Sequence, residues 1–228
     1  MRSRRWLLPI FFVAILTPFT PYFDLTFARY FYNLGESNVT HFVSHPIFDF
    51  FYSYALLPGQ IVAVLSMTAL LCSYALPSCQ SWKKPALVLV MTLAVGAGFI
   101  CHFILKDHWG RPRPKQVIEF GGKQPFRPYY KPNFFNQPEP SKSFPCGHCT
   151  MGFYFFAVAL IAARHGRTLL FYSGLILAIV LGTALGITRM AQGGHFLSDV
   201  MLSALLMWLT ALTFDRMIYS RLYTQTSS

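Results

Sequence analysis

Six stretches of this chain, residues 6 to 22, 52 to 76, 85 to 105, 147 to 163, 168 to 187 and 196 to 214, are apolar over the length needed to cross a bilayer. A ~30 Å hydrocarbon core takes roughly 17 to 25 helical residues. Inside lipid every backbone N–H and C=O must find a partner within the protein, so such a chain folds as a helical bundle. Composition agrees, since 54% of the 228 residues are hydrophobic and only 12% charged, whereas soluble domains carry roughly 25% charged residues. The fold class that follows is all-α: a polytopic six-transmembrane-helix bundle, one domain over residues 1–228, without internal repeats.

The first run is interrupted by Pro9, Pro18 and Pro21 and preceded by the basic start Met1-Arg2-Ser3-Arg4-Arg5. This resembles the beginning of a signal peptide, but no small-x-small cleavage pattern follows, so a retained anchor is expected. Residues 23 to 50 are too polar to cross yet rich in aromatics, which places them along the interface or as a cap on the bundle. The net charge of +11 would suggest nucleic acid in a soluble protein; here the positions of the cations matter more. Arg2, Arg4, Arg5, Lys83, Lys84, Arg164, Arg167, Arg216 and Arg221 fall at the inner ends if both termini are cytoplasmic, as the positive-inside rule requires. The 106 to 145 loop then lies outside, and its many basic and aromatic residues suit an anionic lipid headgroup. No nucleic-acid or protein partner is implied.

Three short stretches gather the polar chemistry: Lys106 to Pro114 (K-D-H-W-G-R-P-R-P), Pro145 to His148 (P-C-G-H) and Arg189 to Asp199. His195 and Asp199, four apart, would share one helix face, the carboxylate fixing the imidazole tautomer so that Nε2 is free as a nucleophile. Arg189, across the Gly193-Gly194 turn, can grip phosphate oxygens. Lys106 and Arg113, the latter braced by Pro112 and Pro114, supply two more cations for a phosphoryl group whose transfer depends mainly on positioning and charge stabilisation. Arg111 and His108 acquire no role from spacing and read as surface residues or headgroup contacts. Cys146 and Gly147 open a helix whose free amides favour an anion, with His148 placed as general acid.

Together the stretches match K-x6-R-P, P-S-G-H and S-R-x5-H-x3-D, and the chain resembles the type 2 phosphatidic acid phosphatase (PAP2) superfamily, specifically its six-span membrane branch. The resemblance implies His195 as the nucleophile of a phosphohistidine, Asp199 as its orienter and His148 as the acid. It also implies phosphate binding by Lys106, Arg113 and Arg189, with no metal or other cofactor. Its substrate would be a lipid phosphate in the bacterial inner membrane, met at the periplasmic face. The basic start, size and large aromatic loop look most similar to lipid A phosphatases, especially the 1-phosphatases. A phosphotransferase would use the same motifs. Thr188 and Cys146 stand where the family pattern has Ser. Cys146-Gly147-His148-Cys149 is also a C-x-x-C tetrapeptide, which keeps a membrane thiol oxidoreductase as the alternative.

Overall fold

The computed structural model describes residues 8–35, 42–135, 137 and 139–220. Among the described residues six helices are long and apolar enough to span a membrane: Leu8–Asn33, Pro46–Ala75, Pro77–Lys106, Gly147–Arg164, Thr168–Ala191 and Leu197–Ser220. They alternate in direction, so residues 34–35 and 42–45, the described residues of the 107–146 loop, and 192–196 meet at one end of the bundle, the site end. Lys83, Lys84, Arg164, Arg167 and Arg216 lie toward the other end. Arg2, Arg4, Arg5 and Arg221 fall outside the described residues.

The first two spans extend beyond their apolar runs, which corrects the expectation that residues 23 to 50 lie along the interface. The first span bends through a 3₁₀ turn at Thr17–Phe19 and continues as helix over Thr20–Asn33, turning Asp24, Ala28 and Phe31 inward. It can do so because Asp24 meets a buried cation instead of lipid. The second span already starts at Pro46, where the His45 ring accepts the Ile47 N–H. Several of the aromatics that suggested an interface, including Phe23, Phe27 and Tyr30, face outward from these helices.

The fourth and fifth spans pack through small residues. Gly174, Ala178, Gly182 and Gly186 recur every fourth position on the buried face of the fifth span, and the backbone of Gly152 lies against Gly182. Close backbone approach of this kind is how helices associate where lipid removes the hydrophobic drive between them. The third span widens into a π-helix over Thr92–Lys106 with Thr92, Gly96, Ala97 and Cys101 buried. A Cβ on Gly96 would stand 3.1 to 3.2 Å from Thr210 and Met207 of the sixth span. Far from the site, Arg164 joins Asp215 through two hydrogen bonds of 2.8 and 2.5 Å, tying the fourth span to the sixth.

The long loop is folded down onto the bundle. Trp109 donates its indole N–H to the Tyr129 carbonyl at 2.7 Å, and Tyr129 and Phe144 stack with centroids 5.9 Å apart. Tyr129 also meets Thr17 of the first span, hydroxyl to hydroxyl, at 2.6 Å. Tyr130, Phe134 and Phe135 point outward instead, Phe135 at 93% exposure.

Candidate active site

His195 sits in the short 192–196 segment, ahead of the last helix, which begins at Leu197. The expected placement of His195 and Asp199 on one helix face is therefore corrected, because Asp199 occupies the first turn alone. There its Oδ2 accepts the Phe196 N–H at 2.8 Å, a favoured position for a carboxylate at a helix N-terminus. His195 Nδ1 meets the Ser143 carbonyl, and Asp199 Oδ2 stands 3.7 Å away. A carbonyl only accepts, so Nδ1 carries the proton and Nε2 presents its lone pair. His195 is 1% exposed. Burial pushes it down to about 4, against the pull of Asp199 and with Arg189 and Lys106 adding to the depression. The imidazole is thus neutral at ordinary pH.

Around it the structure gathers the remaining predicted residues. Arg189 and Lys106 lie within electrostatic reach of both His195 and His148, and Arg113 lies within reach of Lys106 and Arg189. None of these three cations pairs with a carboxylate within 4.0 Å among the described residues, whose ion pairs lie elsewhere. The buried Nε of Arg189 has no hydrogen-bond partner. Its NH1 donates to Gln192 Oε1 at 2.7 Å, and Gln192 in turn donates to Asp49 at 3.3 Å. Gly193 adopts φ 64°, the turn that lets Gly194 lie close under the guanidinium. A cavity of about 200 Å³ lined by Ser44, Asp49, Lys115 and Gln192, with Phe42 and Val43, adjoins this group.

Gly147 begins the fourth span directly beneath two side chains, since a Cβ there would lie 2.6 Å from His102 Nε2 and 3.2 Å from Lys106 Nζ. His148 follows, half-buried, its ring stacked on Tyr52 at 4.7 Å. Cys146 is engaged elsewhere. Its N–H donates to Ser203 Oγ at 2.9 Å and its sulfur is bonded to Cys149. Both cysteines are 0% exposed, which denies a partner thiolate the access that exchange requires.

Arg111 is the largest correction. Expected at the surface, it is 1% exposed and occupies the centre of the site end. Its NH1 donates to Asp199 Oδ1 at 2.5 Å and to Ser198 Oγ at 2.8 Å, its NH2 to Asp24 at 2.7 Å, and its Nε to the Arg127 carbonyl at 2.9 Å. Phe196 lies under the guanidinium at 4.5 Å. Burial works against its charge, but Asp199 and Asp24 outweigh that and hold its pKa above the ordinary value. Sequence reasoning also gave no role to Asp24, Ser143, Tyr52, His102 and Gln192. Only Arg111 had a local signal, its place between Gly110 and Pro112 inside the first motif. His108 is exposed, as expected.

Among the described residues no group of three or more His, Cys, Asp or Glu side chains could hold a metal ion. What the arrangement offers is an imidazole whose Nε2 carries no proton, a second imidazole, and three cations without a carboxylate partner among the described residues: a place suited to a tetrahedral anion.

The family model described as the PAP2 superfamily matches residues 85–223. A lipid A 4'-phosphatase of Francisella tularensis subsp. novicida is 31% identical over 215 residues, covering 92% of this chain and 93% of that protein. A lipid A 4'-phosphatase of Rhizobium leguminosarum is 29% identical over 125 residues, 55% of this chain and 49% of that protein. No solved structure matches the chain. The expectation of a 1-phosphatase finds no support, because these relatives are named for the 4'-position. Its grounds, a basic start and an aromatic loop, speak to an anionic lipid surface and carry no regiochemistry.

Proposed function

This chain belongs to the PAP2 superfamily, and from that premise we propose that it is a lipid A phosphatase acting at the 4'-phosphate through a phosphohistidine on His195. The observation that carries the reading is the His195 ring itself. Its Nδ1–H is committed to the Ser143 carbonyl, which leaves the Nε2 lone pair for a phosphate drawn by the nearby cations Lys106 and Arg189.

In this mechanism Lys106, Arg113 and Arg189 hold the phosphoryl oxygens, and His195 Nε2 forms the bond to phosphorus as the bond to the lipid oxygen breaks. The charge that develops on His195 is stabilised by Asp199. His148 gives its proton to the departing lipid oxygen. A water then attacks phosphorus, returning its proton to His148, and the P–N bond breaks to release inorganic phosphate. No metal is needed for any of these steps. The outward aromatics Tyr130, Phe134 and Phe135 suit the headgroup level of a bilayer. The cavity with Ser44, Asp49, Lys115 and Gln192 suits the hydroxyls of a sugar ring. Basic residues gathered at the opposite end favour a bacterial inner-membrane orientation with both termini cytoplasmic and the site periplasmic.

The test is purified protein in detergent with bis-phosphorylated lipid A and EDTA, followed by mass spectrometry of the product. Loss of the 4'-phosphate by the wild type, and no loss by His195→Ala, is expected. Release from the 1-position, dependence on added metal, or an active His195→Ala would each overturn the corresponding part. Phosphate appearing on a second lipid would make the chain a phosphotransferase.

A further inference from the structure

Asp24 lies on the first span, outside the residues matched by the family model, yet it reaches the centre of the site. Its Oδ1 accepts the Ser198 N–H at 2.8 Å, and its Oδ2 accepts the Ser198 hydroxyl at 2.7 Å and Arg111 NH2 at 2.7 Å. Arg111 in turn holds Asp199 Oδ1. The three side chains are 0 to 1% exposed, so their charges interact with little solvent screening.

Charge counting gives this arrangement a purpose. Arg111 alone would pair off Asp199 and cancel the negative field that an imidazolium on His195 needs. A second carboxylate on the far side of the guanidinium leaves the trio with one net negative charge, while Arg111 still pins Asp199 Oδ1 and leaves Oδ2 toward His195. We propose that Asp24 is a positioning residue of this site: through Arg111 it keeps Asp199 aligned and its charge uncancelled for His195. The first span thereby completes the catalytic apparatus. The inference rests on the reading of His195 as the nucleophile.

The groups facing His195 are Asp199 of the sixth span, Lys106 of the third, His148 of the fourth and Arg189 of the fifth, with Arg111 behind Asp199. Only Asp24 and Arg111 are changed in the test. Phosphate release is measured against pH for wild type, Asp24→Asn, Asp24→Glu and the double variant Asp24→Asn with Arg111→Gln, after thermal unfolding shows each is folded. Asp24→Asn brings the trio to zero net charge. It should lower kcat on the order of tenfold with KM within about twofold, because Asp24 touches no substrate. It should also move the acid limb of kcat/KM to lower pH by about one unit, since imidazolium loses support. Asp24→Glu should restore much of kcat. The double variant returns the net charge to minus one, and its acid limb should return to the wild-type position.

A fully active Asp24→Asn with an unmoved acid limb overturns the proposal, as does a double variant whose limb stays displaced. If Asp24→Asn does not accumulate, Asp24→Ala makes the same charge change and is judged by the same outcomes. Wild-type phosphate release that survives His195→Ala would instead overturn the nucleophile reading, which separates the two failures.

Discussion

The contact between Gly182 and the fourth span sets a narrow tolerance for the site. A methyl group added at Gly182 would stand 2.5 Å from Cδ1 and 2.7 Å from Cζ of Phe153, and closer still to Cε1. Ordinary carbon contacts lie at about 3.5 to 4.0 Å, so Gly182→Ala must push the ring and its helix away by about 1 Å. Phe153 is 6% exposed and Gly152 also touches Gly182, so the ring has little room to turn aside. Overpacking of this size costs about 1 to 3 kcal/mol, or a fall in the unfolding midpoint of about 2 to 12 °C at this chain length. The larger effect is catalytic. The fourth span carries His148 and the fifth carries Arg189, and a misplacement of about 1 Å between reacting groups costs on the order of 100-fold in rate. Phosphate release and tryptophan-detected unfolding in detergent measure both, with Gly98→Ala as the control, whose Cβ would meet only Leu93 O at 3.8 Å. If Gly182→Ala unfolds within a degree of wild type and keeps more than half its activity, the close-packed interface is not what aligns the site.

Further outcomes follow from particular groups. His195 is held at about 4 by burial, below its ordinary value of about 6.5. The unfolded chain therefore binds the extra proton, and stability present above about pH 6.5 is lost as pH falls toward 4. The midpoint of wild type should drop more steeply over that window than that of His195→Gln, and parallel curves would refute the assignment. Ser203→Ala strips the Cys146 N–H of its 2.9 Å partner and should cost about 1 to 3 kcal/mol by thermal unfolding; an unmoved midpoint would refute it. Dithiothreitol should leave phosphate release unchanged, because Cys146 and Cys149 are both buried; a rapid loss of activity would show the disulfide to be accessible. Lys142→Ala removes an ion pair to Asp107 whose side chains are 44% and 49% exposed, and the midpoint should move by about a degree at most.

The six spans were legible because length and apolarity are properties of contiguous sequence. The chemistry-bearing motifs were legible because residue type and spacing survive folding. What escaped is set by partners distant in the chain. Asp24 made the first span look too polar to continue, and Arg111 looked like a surface cation; each is explained only by the other, 87 positions apart. The His195 to Ser143 contact was hidden for the same reason, as it crosses 52 positions. The third span shows a different limit. Gly96, Cys101 and Lys106 recur every five residues, which a 3.6-residue helix would splay by about 140° per step. The π-helix over Thr92–Lys106 brings them closer to one face, and no α-helical period announces that.

Chain order gives the Asp24 arrangement a further meaning. During synthesis Asp24 enters the membrane first, 87 positions ahead of Arg111 and 174 ahead of Ser198. Until both arrive, its carboxyl group has neither counter-ion nor amide and is costly to leave in lipid. The first helix can dock loosely before then, but it cannot take its final seat. A nascent chain stopped before the last helix would carry an unsettled N-terminal helix, open to extraction by whatever surveys unfinished membrane proteins. The first helix of this bundle is therefore seated only together with the last, which carries Ser198.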